Sequence, residues 1–395
     1  MISESDTERI FRAEKRVLIV SGEASGDTYG AELIRHVRSM KPGTEFFGVG
    51  GGKMRDAGLT ALFRAEEISV VGFVEILKQL GPILSALTRL KRSVRELKPD
   101  LVILIDFPDF NFRIARAAKK AGVPVFYYVS PQVWAWRRGR VKTIVKHVDQ
   151  MIVIFPFEVE FYREAGVSVE FYGHPIMDVI GDGYGDGRTF DPEKPVIALL
   201  PGSRHGEVER HMDVLLEAGR LIREKIPGAR FRIPLAPTLS EDVIAPYLER
   251  SDLSVEIIPG DFHRVVGTSD VAIACSGTAT LETALLETPM VVYYRLNPMT
   301  YFLGRMLIQV DYISMVNLIA RQQVVPELIQ DDANPENIAR ETLRLLTDDV
   351  ARGEMVEKLK SVKEAVGLPG ASKRVAGRVI GFLYGGNSPD ERAEG

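Results

Sequence analysis

Apolar residues in this chain gather in short unbroken runs rather than in alternation. RVLIV (16–20), LVILI (101–105), VFYYV (125–129) and MIVIF (151–155) are each bounded by polar or turn-forming residues. Unbroken runs of that length are typical of strands covered on both faces. The segments between them, Asp27–Met40, Phe112–Ala121 and Arg137–His147, read as helices. A strand–helix–strand rhythm implies a parallel sheet with helices on both sides.

The rhythm breaks at 181–195, GDGYGDGRTFDPEKP, whose Gly, Asp and Pro content marks a linker. It restarts with VIALL (196–200), a helix over Glu207–Lys225, FRIPL (231–235), a helix near Asp242–Glu249, VEII (255–258), VAIAC (271–275) and MVVYY (290–294). The predicted fold class is α/β, with two doubly wound Rossmann-like domains facing a cleft. In such folds the ligand lies at the carboxyl ends of the strands. The expected division is an N-terminal domain over 1–180, the linker, a C-terminal domain over 196–365, and a last helix with a frayed tail over 366–395. That last segment is able to pack back on the N-terminal domain.

Composition narrows the class. At 395 residues the chain exceeds one ordinary core, and 45% apolar with 26% charged residues is usual for a soluble globular protein. The net charge of −4 argues against a general nucleic-acid binder. A single cysteine, Cys275, excludes a disulfide framework and a cysteine-based zinc site. The first residues, MISESDTERIFRAEKR, lack the apolar core of a signal peptide, and no run of about 18 apolar residues predicts a transmembrane helix.

The most informative segment runs from Val271 to Pro289. A buried strand feeds the small turn Ser276-Gly277-Thr278, and a helix follows. This arrangement aims free N–H groups and the positive end of a helix dipole at one point, which favours a diphosphate. Glu282, about one turn into the helix, is placed to reach a sugar diol. Together these predict a nucleotide-diphosphate pocket. LPGSRHGEVERH (200–211) repeats the plan and offers Arg204 to the same diphosphate; a capped helix with an exposed arginine is the plainer alternative. His205 and His211 lack metal-ligand spacing and read as ordinary polar residues. Arg295, Asn317 and Gln322 or Gln323 are candidate nucleotide contacts, or equally partners for buried backbone.

In the first half, DFPDFN (106–111) follows the central strand LVILI. Asp106 is placed to act as a general base toward a sugar hydroxyl, whereas Asp109 reads as structural. SGEASGD (21–27) is either a tight strand–helix turn capped by Asp27 or an acceptor-binding loop that uses Ser25 and Asp27. YVSPQVWAWRRGR (128–140) holds both tryptophans. Trp134 is a candidate pocket wall, and Arg137, Arg138 or Arg140 a candidate phosphate contact; the alternative is an aromatic staple beside a solvated basic face. Gly173-His174-Pro175 reads as a hinge. Val70, Val71, Phe73, Leu77, Leu80 and Leu84 belong to an apolar stripe, and from Lys78 to Lys98 six basic residues face one acid. Such a stripe suits either a helix on an anionic bilayer or a helix packed on the sheet.

Eight motifs occur in order: SGEASGD, KPDLVILIDFPDFN, YYVSPQVWAWRRGR, FYGHP, LPGSRHGEV, CSGTATLE, PMVVYYRLNP and DYISMVNLIA. By this series the chain resembles the lipid-A-disaccharide synthase family over almost its whole length. Ser21 stands where the family usually has alanine, and SMVN (314–317) where it usually has SLPN. The resemblance implies the GT-B fold and the condensation of UDP-2,3-diacylglucosamine with 2,3-diacylglucosamine 1-phosphate (lipid X). The products would be the β-1,6-linked disaccharide 1-phosphate of lipid A and UDP. It further implies an inverting reaction with no cofactor and no metal, a cytoplasmic enzyme peripheral on the inner membrane, and a homodimer that exchanges C-terminal segments. The rival readings are a UDP-N-acetylglucosamine epimerase, a peptidoglycan N-acetylglucosaminyltransferase, and a non-catalytic sugar-nucleotide or lipid binder. The two rival enzymes lack DFPDFN followed by VSPQVWAW.

Overall fold

The computed structural model describes residues 3–65, 73–136, 138–180, 190–297, 301 and 311–385; the side chains of 73–80, 82, 136 and 138 lie outside that description. The chain divides into two units, Met1–Asp178 with Gly367–Gly395, and Val179–Val366.

The first unit is built on seven strands: β1 (Lys15–Ser21), β2 (Thr44–Gly50), β3 (Thr60–Arg64), β4 (Leu101–Ile105), β5 (Val125–Tyr128), β6 (Gln150–Val153) and β7 (Val169–Phe171). They pair in parallel in the order β3-β2-β1-β4-β5-β6-β7. Its helices are α1 (Glu4–Arg12), α2 (Ala24–Met40), α3 (Gly52–Asp56), α4 (Phe73–Glu96), α5 (Pro108–Lys120), α6 (Val133–Trp136), α7 (Val141–His147) and α8 (Pro156–Glu164). Leu18 and Val20 of β1 share one buried cluster with Leu90 and Val94 of α4, Ile114 and Ala118 of α5, and Ile144 of α7. On the opposite face α2 brings Gly30 against Ile105. Residues 101–105 are therefore buried on both sides, as their unbroken apolar run requires.

The second unit repeats the plan with β8 (Val196–Leu200), β9 (Arg230–Leu235), β10 (Val255–Pro259), β11 (Val271–Cys275), β12 (Met290–Tyr294) and β13 (Glu327–Ile329), all parallel, in the order β10-β9-β8-β11-β12-β13. Around them lie α9 (His205–Lys225), α10 (Ala245–Leu248), α11 (Phe262–Gly267), α12 (Thr278–Leu285), α13 (Met315–Ala320), α14 (Pro335–Thr347) and α15 (Asp349–Val366).

The last helix, α16 (Ala371–Tyr384), belongs to the first unit. Asp178 caps it, accepting from the N–H of Gly370 and, at 2.8 Å, from that of Ser372. Arg378 reaches Glu170 at 2.9 Å, and the Phe382 ring lies 4.8 Å from that of Phe126.

Four strands escape the hydrophobic pattern. β2 reads TEFFGVG, and its glycines interrupt the run, yet all seven residues are buried. Gly48 is required there: φ is +145°, and a Cβ would sit 2.0 Å from the carbonyl oxygen of Ile19. β7 and β13 are three-residue edge strands, too short to show a period, and β3 is the other edge of the first sheet. The segment expected as one helix over Arg137–His147 is a 3₁₀ turn at Arg138–Arg140 followed by α7. The segment near Asp242–Glu249 is likewise a 3₁₀ turn and the short α10, which carries Pro246 in its first turn.

Candidate active site

In each sheet the chain starts at a central strand, runs to one edge, then returns to the other side. The switch falls between β1 and β4 in the first unit and between β8 and β11 in the second. Loops at such a point splay apart and leave a crevice outside the carboxyl ends of the strands.

At the first switch point, Ser21 at the end of β1 lies beside Ile105 at the end of β4. The SGEASGD and DFPDFN loops are thereby neighbours, and the Phe107 ring covers Gly22 so closely that a Cβ there would lie 2.7 Å from it. Asp106 and Phe107 have φ of 43° and 47°, and Val129, at the end of the adjacent β5, has φ of 63°. Left-handed backbone costs an L-residue about 1–2 kcal/mol, and it persists only where the surroundings impose it. Here the carbonyl of Asp106 accepts from Tyr127 Oη at 2.5 Å and Asn111 Nδ2 at 2.7 Å, and its N–H donates to Val129 O at 3.2 Å.

The Asp106 carboxyl is pushed up from 3.8 to about 7. Burial is the main cause and the Glu23 carboxylate the second; the N–H of Phe107 opposes both. A base of that pKa is half ionised near neutral pH, where proton transfer is most effective.

Several neighbours have roles that the chain alone did not disclose. Asp27 is engaged by backbone: its carboxylate accepts from the N–H groups of Gly51, Lys53 and Met54 at 2.7–3.1 Å. It lies within α2 yet caps α3. Trp134 is held from within the unit. It is 7% exposed, and its Nε1 donates to Glu158 at 3.1 Å. Glu158 also accepts from the N–H groups of Ile154 and Phe155, and burial pushes its carboxyl up to about 7. Ser25 is exposed at the start of α2. Arg137 and the side chain of Arg138 lie outside the described residues; Arg140 pairs with Asp109. His174 is a buried packing residue. It accepts from the N–H of Ile176 at 3.1 Å, and burial lowers it to about 3. Val70 and Val71 lie outside the described residues, as do the side chains of Phe73, Leu77 and Leu80; Leu84 is 51% exposed.

At the second switch point three loops leave the ends of adjacent strands β8, β11 and β12. They carry Arg204, Ser276–Thr278 and Arg295. Gly277 is the N-cap of α12, no side chain caps that helix, and Gly277 and Thr278 are exposed. Its first N–H groups therefore face solvent at the positive end of the dipole. The start of α9 differs. Glu207 takes the N–H of Ser203 at 2.9 Å and the Arg204 guanidinium at 3.4 Å. Arg204 itself is 65% exposed, and a surface pair of this kind is weak enough to yield to an anion. Glu282 lies one turn into α12, its Oε2 at 2.7 Å from His263 Nε2.

His211 is not an ordinary polar residue. It is fully buried, with Nδ1 3.1 Å from Pro201 O and Nε2 accepting from Arg295 N–H at 3.3 Å. It therefore joins the Pro201–Arg204 loop to the end of β12 as a neutral ring, and burial lowers its pKa. Its place on the inner face of α9, three and four residues from Val208 and Leu215, is the signal that could have revealed it.

Two candidate nucleotide contacts have other surroundings. Asn317 is buried and fully used: Nδ2 donates to Val325 O and Glu327, and Oδ1 accepts from Val324 and Val325. Gln322 is exposed in the turn that feeds the amino end of β13, on the edge away from the strands' carboxyl ends. Among the described residues, no helix is long and apolar enough to cross a membrane.

Two parallel, doubly wound α/β units in one chain are the plan of the GT-B fold class. A UDP-GlcNAc 2-epimerase from Neisseria meningitidis, solved with UDP-GlcNAc bound, aligns with a TM-score of 0.63 at 14% identity, over 92% of this chain and 99% of that one. The calicheamicin glycosyltransferase CalG4 aligns at 0.59 and 16%, over 93% and 98%. At such identities the likeness is one of fold. The family profile described as lipid-A-disaccharide synthetase matches residues 17–373. The lipid-A-disaccharide synthase of Trichlorobacter lovleyi is 46% identical over 374 residues, 93% of this chain and 98% of the relative. The chain belongs to the lipid-A-disaccharide synthase family: it is a glycosyltransferase that forms the disaccharide of lipid A.

Proposed function

We propose that the chain transfers 2,3-diacylglucosamine from UDP to the 6-hydroxyl of 2,3-diacylglucosamine 1-phosphate, with inversion, and that Asp106 is the base. The observation that carries this reading is the state of Asp106. It is a half-buried carboxyl with a pKa near neutrality, on strained backbone, at the switch point of its sheet.

The donor is held by the second unit. The uncapped start of α12 and Arg204 take the diphosphate, Arg295 supports them, and Glu282, oriented by His263, takes the ribose hydroxyls. Each charge–dipole contact contributes about 0.3–2 kcal/mol. Their effect grows as UDP departs, because charge then develops on the phosphate they face. Ser25 and Arg137 or Arg138 serve the acceptor. Asp106 removes the hydroxyl proton as oxygen attacks the anomeric carbon and the bond to UDP breaks.

Both substrates carry acyl chains, which water rejects by about 0.8 kcal/mol per CH₂. The enzyme therefore meets them at a bilayer, as a peripheral protein on the cytoplasmic side of the inner membrane, with the apolar stripe from Val70 to Leu84 toward the lipid. The test is to mix the purified protein with both acylated substrates and follow UDP and disaccharide by mass spectrometry. Formation of neither, or equal formation by Asp106→Asn, refutes the mechanism.

A further inference from the structure

The face of the first sheet covered by α4, α5 and α7 is strongly basic in an acidic protein. These helices carry five, four and two Lys and Arg respectively, against three acidic residues: Glu75, Glu96 and Asp109. Between α4 and α5 lies a groove of about 220 Å³. Lys91, Arg95, Arg113, Arg116 and Lys120 line it, with two alanines between them and no acid.

Three other bases on this face are matched, Arg92 with Glu96, Lys119 with Asp149 and Arg140 with Asp109. Among the described residues the five that line the groove have no ion-pair partner. Arg116 of this set is felt by a neighbour: His147 on α7 is lowered first by burial and then by Arg116, with Lys146 and Lys119 from outside the groove. Five cations around so small a volume repel one another until an anion enters, and a phosphate offers several acceptor oxygens to guanidinium forks.

The groove is separate from the catalytic carboxylate. α5 begins two residues after Asp106, and Arg113 to Lys120 lie about 8–18 Å further along its axis. Its surroundings are apolar as well as basic. Leu84, Thr88, Lys91 and Arg95 follow one another at intervals of four, three and four, so they form one stripe of α4. Leu84 on that stripe is 51% exposed, and Val145 on α7 is 48% exposed. Exposed apolar groups beside unmatched cations suit the boundary between headgroups and acyl chains.

We propose that the α4–α5 groove binds the phosphate of an acidic phospholipid headgroup and so sets how the first unit lies on the membrane. The inference rests on the peripheral-membrane reading above and adds a discrete site to it. The test uses the full chain with phosphatidylcholine vesicles made with or without phosphatidylglycerol, and reads co-sedimentation. Arg113→Gln/Arg116→Gln is compared with Lys142→Gln/Lys146→Gln, which makes the same charge change on α7 outside the groove. Unchanged thermal melting confirms that both variants are folded.

Wild type is expected to bind only the anionic vesicles. The groove variant should bind about thirtyfold more weakly, about fivefold per cation near an anionic surface, and the α7 variant should lose several times less. Equal losses in the two variants overturn the groove in favour of a diffuse field, as does wild-type binding by the groove variant. Wild type that ignores anionic vesicles overturns the peripheral reading together with the site. Saturable calorimetric binding of inorganic phosphate that leaves vesicle binding intact assigns the groove to a soluble phosphate, and the lipid assignment fails.

Discussion

Asp106→Asn separates catalysis from stability in a single change. Asparagine keeps the shape of the side chain and tolerates the left-handed backbone that Asp106 adopts at φ 43°. Loss of turnover in this variant therefore reports on the carboxylate and not on a disturbed turn. A general base contributes about 10²–10⁴ to the rate, so product formation should fall by that factor while UDP affinity stays within about twofold. Stability should move the other way. The carboxyl rises from 3.8 to about 7 on folding, so the folded state holds its proton more tightly than the unfolded state does. Between those values the unfolded chain releases the proton first, and wild-type stability falls as pH rises. A shift of about three units corresponds to about 4 kcal/mol, reduced to about 2–4 by solvent at the partly open site. The amide cannot titrate. The stability difference, variant minus wild type, should therefore grow between pH 4 and pH 7 by that amount and level off above. Urea unfolding of both proteins across that range measures it. Parallel curves would show that the carboxyl is not raised by burial, and near-normal turnover would remove it as the base.

Glu282→Ala should raise the Kd for UDP about ten- to a hundredfold, since hydrogen bonds to a charged group contribute about 1.5–3 kcal/mol; titration calorimetry reads this, and an unchanged Kd removes the ribose assignment. Asp27→Ala strands the three N–H groups that its carboxylate holds. It should destabilise the fold by about 2–4 kcal/mol without altering UDP affinity, so weaker UDP binding at unchanged stability would restore a ligand role. His211→Phe keeps a ring but leaves Pro201 O and the Arg295 N–H unpaired. Chemical denaturation should show a loss of about 2–4 kcal/mol, and UDP binding should weaken with it; intact UDP binding would mean that the two loops hold their positions without the clamp.

The fold class was legible because it rests on local pattern. LVILI, VIALL and VAIAC are unbroken apolar runs, and a strand buried on both faces needs nothing else to announce itself. Turn chemistry was equally legible at Ser276-Gly277-Thr278, where small residues between a strand and a helix leave the helix start open. Strands whose burial comes from neighbours far along the chain stayed hidden. β2 is buried by β1, α1 and the last helix, where Thr44 meets Tyr384 at 2.9 Å, and nothing in TEFFGVG encodes those partners.

The polar candidates divide along the same line. A sequence shows that a residue is able to bind, not whether its hydrogen bonds are already taken. Asp27 and Asn317 carried the right chemistry for a ligand, but distant N–H groups and carbonyls occupy them. His211 and His263 looked unremarkable until packing set one between two loops and the other on Glu282.

The chain by itself determined the parallel α/β plan, the order of its motifs and the family to which it belongs, because all of these are written in adjacent residues. Tertiary structure alone decided that Ser21 ends beside Ile105, that Asp106 is half-buried near Glu23 with its proton held to about pH 7, and that five cations meet without an acid between α4 and α5. The physical reason is range. Hydrophobic period and turn preference act over a few residues, whereas desolvation and charge pairing depend on which distant segments the packed core brings together.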